Sequence, residues 1–190
     1  MSESIILDRN FTGSVDEDAQ LAQAARQNPA NFHQIYIKWL PRIYRYFYFR
    51  VENEKDAEDL TSQVFLKAFE NITDYREKGC FSAWLFTIAH SRIVDFYRRK
   101  QKEISLEEAG ILTGGTDLLV ESSRREDMDR MLNLIRTLTD EEQELIRLRF
   151  VAELSYVEIG AITNRSEDAV RKTVTRLLQR LQTKLEVNHE

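Results

Sequence analysis

The chain has 190 residues, a net charge of −5, one cysteine, 6 Gly and 2 Pro. The acidic balance disfavours a protein that coats nucleic acid non-specifically, because such binding depends on many Lys/Arg contacts to phosphate. The single cysteine, Cys80, excludes an internal disulfide, and no apolar run approaches the ~20 residues that cross a bilayer.

The composition predicts an all-α protein made of two small helical domains. Leu, Ile, Ala, Glu, Arg and Gln are abundant, and these residues favour helix. The N-terminus lacks the basic leader of a secretory signal, so we expect a cytoplasmic protein. His33, His90 and His189 form no metal-ligand spacing with Cys80 or with one another, so we expect no metal and no cofactor.

The first twenty residues are rich in acids and lack a sustained period, which predicts a loose leader over residues 1–20. Apolar residues then recur at helical spacing from about Ala19 to Trp39 and again from Asp56 to Ile72. Pro41 fits either the first turn of a new helix or a kink. Ser82 is a plausible N-cap for a helix that continues to about Lys100.

A stretch of weak periodicity separates two basic segments. Residues 103–127 contain Gly110, Gly114 and Gly115 and an excess of acids, which predicts a flexible acidic linker between domains at 21–102 and 128–187. Basic residues concentrate at 76–102 and 165–184, which indicates one nucleic-acid contact in each domain. We expect the linker acids to keep the free chain compact against those basic segments.

The C-terminal half has the layout of a helix-turn-helix. Two capping boxes, Thr139–Glu142 and Ser155–Glu158, precede helical segments, and Ser166 opens a last helix after a short polar turn. One face of that helix is apolar, through Val170, Val174, Leu177 and Leu181. Its opposite face carries Arg, Lys, Thr and Gln, which can read base edges, although such a face is also compatible with an ordinary solvated surface.

The N-terminal half contains a segment, Phe81–Lys100, that is apolar almost all the way round a helical wheel and ends in basic residues. Unstacked bases stack on aromatic rings while Arg and Lys hold the backbone, so this composition suits capture of single-stranded DNA. A central core helix with a basic tail is the alternative interpretation.

Two sets of motifs resemble the sigma factors of bacterial RNA polymerase, in the extracytoplasmic-function group of the sigma-70 family. Leu138–Leu145, Leu148–Phe150 and Leu154–Gly160 resemble conserved region 4, and Phe81–Lys100 resembles regions 2.3 and 2.4. Asp56–Ala68 resembles region 2.2. The chain departs from the family pattern at Ser62-Gln63, Ser91, Thr163-Asn164 and Asp168-Ala169, so the resemblance does not specify the promoter sequence.

The resemblance implies a set of contacts for each region. Region 2.2 would bind core polymerase through Asp56, Asp59, Ser62, Gln63 and Lys67. Regions 2.3 and 2.4 would recognise and open the minus-ten element through Arg76, Lys78, Phe81, Trp84, His90, Ser91, Arg92, Asp95, Arg98 and Arg99. Region 4 would read the minus-thirty-five element through Arg149, Ser166, Glu167, Asp168, Arg171, Lys172, Thr175, Arg176 and Gln179.

The expected function is therefore promoter-specific transcription initiation, with no enzymatic activity of the chain itself. The expected partners are core RNA polymerase, through its β′ clamp and β flap, promoter DNA and an anti-sigma factor, without membrane contact. An autonomous helix-turn-helix regulator is the alternative, and it would bind a two-fold symmetric duplex site without polymerase. An enzyme with Cys80 as nucleophile and His90 as base is a third possibility.

Overall fold

The computed structural model describes residues 15–76, 80–107 and 133–187, and throughout these ranges the regular structure is helical, which confirms the all-α prediction. The N-terminal half contains α1 (Val15–Gln27), α2 (Phe32–Val51), α3 (Glu54–Asn71) and α4 (Phe81–Glu107). The C-terminal half contains α5 (Asp140–Ile146), α6 (Tyr156–Thr163) and α7 (Glu167–Val187). Short 3-10 turns lie at Pro29–Asn31 and Ile72–Asp74, a helical turn at 133–136, and a π-helical turn at Arg147–Val151.

Asparagine residues act as N-caps in the two connections between the first three helices. The Asn28 side chain accepts a hydrogen bond from the backbone of Ala30, and that of Asn53 accepts one from the backbone of Asp56, so each satisfies an amide at a helix start. Glu52 ends α2 in the left-handed region, with φ of 52°. Pro41 lies inside α2 and begins no new helix.

The predicted leader is shorter than the sequence pattern indicated, because α1 begins at Val15 and its Asp18 is only 4% exposed. The indole of Trp39 donates a hydrogen bond to Asp18 over 3.2 Å, and the Lys38 ammonium lies 2.9 Å from the same carboxylate. Because Asp18 is buried although it is polar, a search for apolar residues at helical spacing does not detect the first turn of α1.

The core of the N-terminal half lies between α2, α3 and α4. Its buried side chains from α2 include those of Ile35, Trp39, Ile43, Tyr46 and Phe47. They belong to the same cluster as Leu60 and Val64 of α3 and Leu85, Phe86 and Ile93 of α4. The prediction that Ser82 caps α4 is wrong, since the helix starts one residue earlier and the Ser82 side chain is buried. Helix α4 extends to Glu107, past the predicted start of the linker at 103, and residues 108–132 lie outside the described part of the chain.

Both predicted capping boxes are present in the C-terminal half. Thr139 and Glu142 cap α5 reciprocally, and Ser155 and Glu158 do the same for α6. Helix α7 packs its apolar face against α5 and α6, which gives the helix-turn-helix arrangement.

The two halves contact each other. The Tyr46 hydroxyl of α2 donates a 2.6 Å hydrogen bond to Glu144 of α5, and the guanidinium of Arg50 pairs with the same carboxylate. Helix α6 packs against α4, and most of the buried apolar residues form one cluster that spans both halves. A second cluster, of Leu138, Ile146, Leu177 and Leu181, lies within the C-terminal half. Further ion pairs join Arg45 to Glu153 at 3.0 Å and Arg136 to Glu52 at 3.2 Å.

Candidate nucleic-acid interface

Helix α7 has the two faces that the sequence predicted. Val170, Val174, Leu177 and Leu181 are 0–5% exposed and form its inner face. Most of the predicted DNA-contacting side chains of this helix are exposed to solvent, namely those of Asp168, Arg171, Lys172, Arg176 and Gln179, whereas those of Glu167 and Thr175 are half-buried. The inner face thus orients a row of cations outward, which is the geometry needed to present them to a DNA groove.

The turn before α7 is built from local hydrogen bonds. Asn164 ends α6 in the left-handed region with φ of 53°, a conformation that Asn tolerates better than most residues. The Ser166 hydroxyl then accepts a 3.3 Å hydrogen bond from the backbone of Ala169 in the first turn of α7. Ser166 therefore acts as the predicted start of this helix, and it is exposed to solvent.

Two guanidinium groups lie over the ring of Tyr156. The Cζ atoms of Arg149 and Arg171 are 4.5 Å and 5.1 Å from the ring centroid, within the range of cation–π attraction. Arg149 is 3% exposed and donates a 3.0 Å hydrogen bond to the carbonyl of Leu154. In this structure Arg149, predicted as a DNA contact, supports the Tyr156 ring from inside, whereas Arg171 remains at the surface.

The predicted minus-ten segment divides between core and surface. Phe81 and Leu85 are buried, and Phe81 packs against Trp39, Tyr75 and Trp84 with centroid distances of 5.4–6.2 Å. A direct contact of Phe81 with DNA is not compatible with this burial. Of the other predicted residues, five are exposed: Arg76, His90, Ser91, Arg98 and Arg99. Three are half-buried: Trp84, Arg92 and Asp95. Lys78 lies outside the described residues.

The exposed end of α4 is held by polar contacts along the helix. Asp95 pairs with Arg98 over 2.8 Å, and the Tyr97 hydroxyl donates a 2.7 Å hydrogen bond to the carbonyl of Arg50 in α2. Partial desolvation of the otherwise exposed His90 ring, with a smaller contribution from the positive charge of Arg50, lowers its pKa below the ordinary value. This shift favours the neutral form of His90, which adds no positive charge to α4.

The predicted polymerase-binding residues all lie on α3. Asp59 and Ser62 are exposed, Asp56, Gln63 and Lys67 are half-buried, and Lys67 pairs with Glu70 at 3.1 Å. Sequence reasoning missed two apolar residues on this helix, Leu66 and Phe69, which are 61% and 45% exposed. Leu66 and Phe69 continue the spacing of Asp59 and Ser62 by steps of four and three, so the helical period contained the signal.

Comparisons with known protein families match both halves of the chain. Residues 35–103 match the model of sigma-70 region 2, and residues 134–183 match the model of sigma-70 region 4. Within the described residues, no helix is both long and apolar enough to cross a membrane.

Similar proteins include named sigma factors. The extracytoplasmic-function RNA polymerase sigma factor BldN of Streptomyces coelicolor is 30% identical over 84% of this chain, which spans 65% of BldN. SigW of Bacillus subtilis, another sigma factor of this group, is 29% identical over 83% of this chain and 90% of its own length.

Among solved structures, CnrH, in complex with the cytosolic domain of CnrY, has a TM-score of 0.62 at 23% identity, covering 90% of this chain and 97% of that one. The sigma factor RpoE of Bartonella quintana, in complex with the anti-sigma factor NepR, has a TM-score of 0.64 at 22% identity, covering 83% and 98%. The fold, the order of the two family matches and the relatives agree, and the chain belongs to the extracytoplasmic-function group of the sigma-70 family of RNA polymerase sigma factors.

Proposed function

We propose that this chain binds core RNA polymerase and directs promoter-specific transcription initiation. In this proposal α3 docks on the β′ clamp and the C-terminal domain on the β flap. The N-terminal domain, whose helices run from Val15 to Glu107, recognises and opens the minus-ten element, while the domain at 128–187 reads the minus-thirty-five duplex. The observation that carries the proposal is the presence of both sigma regions in one chain, in family order.

The geometry of α7 supports the reading of duplex DNA. Arg171, Lys172 and Arg176 are exposed opposite the buried face, and Arg or Lys side chains donate to the O6 and N7 acceptors of guanine in the major groove. Arg171 is also restrained by the Tyr156 ring and by an ion pair with Glu167, so it loses less side-chain entropy on binding than a free arginine.

The opening of the minus-ten element is supported by the outer end of α4. Arg98 and Arg99 are exposed there, directly after Tyr97, whose ring is 41% exposed. Cations that hold a backbone beside an aromatic ring suit an unstacked strand.

An anti-sigma factor is proposed as the regulator. The solved relatives CnrH and RpoE are each bound by another protein, which for RpoE is the anti-sigma factor NepR. In this chain Leu66 and Phe69 are exposed beside the proposed polymerase-binding residues of α3, and a regulator that covers them would block docking on polymerase.

We further propose that the chain has no enzymatic activity of its own and acts in the cytoplasm, where its polymerase partner is. Burial, with the nearby charges of Glu158 and Asp18, raises the pKa of the Cys80 thiol. A raised pKa disfavours the thiolate that a nucleophilic cysteine needs.

The test is run-off transcription by core RNA polymerase on a promoter library, with and without the chain. New start sites that require the chain are expected, and their upstream sequences will share two elements. If the chain neither binds core polymerase nor adds a start site, but binds a palindromic duplex alone, the autonomous regulator is the correct function.

A further inference from the structure

The contact between the two halves is built around one carboxylate. Glu144 of α5 accepts a 2.6 Å hydrogen bond from Tyr46 and pairs with Arg50, both from α2, and Arg147 lies 3.6 Å away on its own side. The side chains of Glu144, Arg50 and Arg147 are only 16–17% exposed. The Glu144 carboxylate therefore balances two arginines in a partly desolvated site, where charge interactions are stronger than at the open surface.

Among the described residues, the pair of Glu144 with Arg50 is the least exposed of the ion pairs that join the halves, and it lies beside the apolar contact between them. The other cross-contacts are more exposed: the side chains of Arg136 and Glu52 are 61% and 66% exposed, and Arg45 is 42% exposed. Exposed ion pairs contribute little and are screened by salt. Loss of Glu144 would leave Arg50 and Arg147 facing each other without the anion between them, so it would favour separation of the halves.

The closed arrangement cannot engage a whole promoter. Elements named minus ten and minus thirty-five are separated by about 25 base pairs, or ~85 Å of B-form DNA at 3.4 Å per base pair. A folded chain of this length has a radius of gyration of about 16 Å, hence a diameter of ~40 Å. By contrast, the 25 residues of 108–132 can span at most ~85 Å when fully extended. The contact must open before both domains reach DNA.

We propose that Glu144, held by Tyr46 and Arg50, is a latch that keeps the free chain closed and that opens when the chain assembles on polymerase and promoter. The contacts of Glu144 with Tyr46 and Arg50 are the evidence that Glu144 stabilises the closed state. Opening on polymerase, by contrast, rests on the proposed function. Because only the open chain can contact both promoter elements, the affinity of the free chain for a whole promoter is reduced by the ratio of closed to open molecules.

The experiment measures the distance between the halves in the full chain. Donor and acceptor dyes are placed at exposed positions of the two halves, by Thr73→Cys and Thr183→Cys in a Cys80→Ser background, and energy transfer is recorded for single molecules. We expect mainly high transfer in the parent, and a rise of at least about tenfold in the open-to-closed ratio for Glu144→Gln. Tyr46→Phe, which removes one hydroxyl, is expected to give a smaller rise in the same direction.

Glu141→Gln is the matched control, since it removes the same charge from the same helix at an exposed position. It should leave the transfer distribution of the parent unchanged. Circular dichroism shows whether each variant is folded, and Tyr46→Phe keeps the test decisive if Glu144→Gln unfolds. Unchanged transfer in both latch variants, or an equal response to Glu141→Gln, overturns the latch.

Addition of core polymerase and promoter DNA separates the two proposals. Low transfer in the parent upon assembly supports opening, and high transfer in transcribing complexes contradicts it. If the chain does not bind polymerase at all, the proposed function fails, while the effect of Glu144→Gln on the free chain still supports the latch.

Discussion

The guanidinium of Arg149 lies 4.5 Å from the centroid of the Tyr156 ring, and Arg171 lies over the same ring at 5.1 Å. One of these cations is buried and the other is exposed. The ring therefore contacts both a core residue and a residue of the proposed DNA-reading helix, and the two arginines should respond differently to mutation.

Arg149→Met is expected to destabilise the folded chain by about 1–3 kcal/mol, because it removes a buried hydrogen bond and a cation–π contact while filling similar space. Urea unfolding followed by circular dichroism measures this change. Arg171→Met is the control, since its exposed side chain should affect stability by less than about 0.5 kcal/mol. Equal stability of the two variants would show that Arg149 does not support the fold.

Arg176→Ala should weaken binding of promoter DNA by about 1–3 kcal/mol if the side chain reads a base, with a loss of discrimination at one position. If it contacts phosphate, binding should weaken uniformly and the salt dependence should fall by about one charge. Fluorescence anisotropy with a minus-thirty-five duplex at several salt concentrations distinguishes the two cases. Lys184→Ala, on the same helix but directed toward Thr137, is expected to have little effect on binding.

Much of this site follows from local patterns in the sequence. The period of Val170, Val174, Leu177 and Leu181 predicted the buried face of α7, and Ser-x-x-Glu at Ser155–Glu158 predicted the start of α6. Both signals arise from interactions between residues three or four apart, so no knowledge of the tertiary structure is needed to find them.

The contacts between distant residues could not be predicted in this way. Tyr46 and Glu144 are 98 positions apart, and nothing in the local pattern of either pairs them. Phe81 and Arg149 illustrate the same limit. The segment after Phe81 has more apolar residues than one helical face can bury, so its pattern does not show which of them are exposed, and a charged side chain such as Arg149 is not expected to be buried. The start of α1 was placed too late because Asp18 is a carboxylate that is buried by pairing with Lys38 and Trp39.

Asp59→Asn is expected to weaken binding to core polymerase by about 1–2 kcal/mol without changing the stability of the free chain. The Asp59 side chain is exposed, so its removal costs no internal contact in the structure. Surface plasmon resonance with immobilised core polymerase measures the affinity, and thermal unfolding measures the stability. Asp74→Asn, an exposed acid beyond the end of α3, is the matched charge control. An equal loss of affinity in both variants would indicate a general effect of charge and not a docking contact.

The buried carboxylate of Asp18 should make stability depend on pH in a direction unusual for an acid. Burial raises the pKa of Asp18, although hydrogen bonds from Lys38 and Trp39 oppose the effect. The folded state therefore binds the proton more tightly than the unfolded state does. The contribution of Asp18 to stability is fully present below its ordinary pKa and is lost as the pH rises through the raised value.

Asp18→Asn removes this titration and keeps an acceptor for the Trp39 indole. We expect the free energy of unfolding of the variant, relative to the parent, to increase as the pH rises from ~3.5 to ~7, the window above the ordinary pKa of an aspartate. The neighbouring Glu17 provides the control, because a hydrogen bond and charge interaction with Lys38 lower its pKa. Glu17→Gln should give the opposite slope, becoming less stable relative to the parent as the pH rises. If Asp18→Asn follows the slope of Glu17→Gln, then the ion pair with Lys38 outweighs burial at Asp18, and the carboxylate stabilises the attachment of α1 in its charged form.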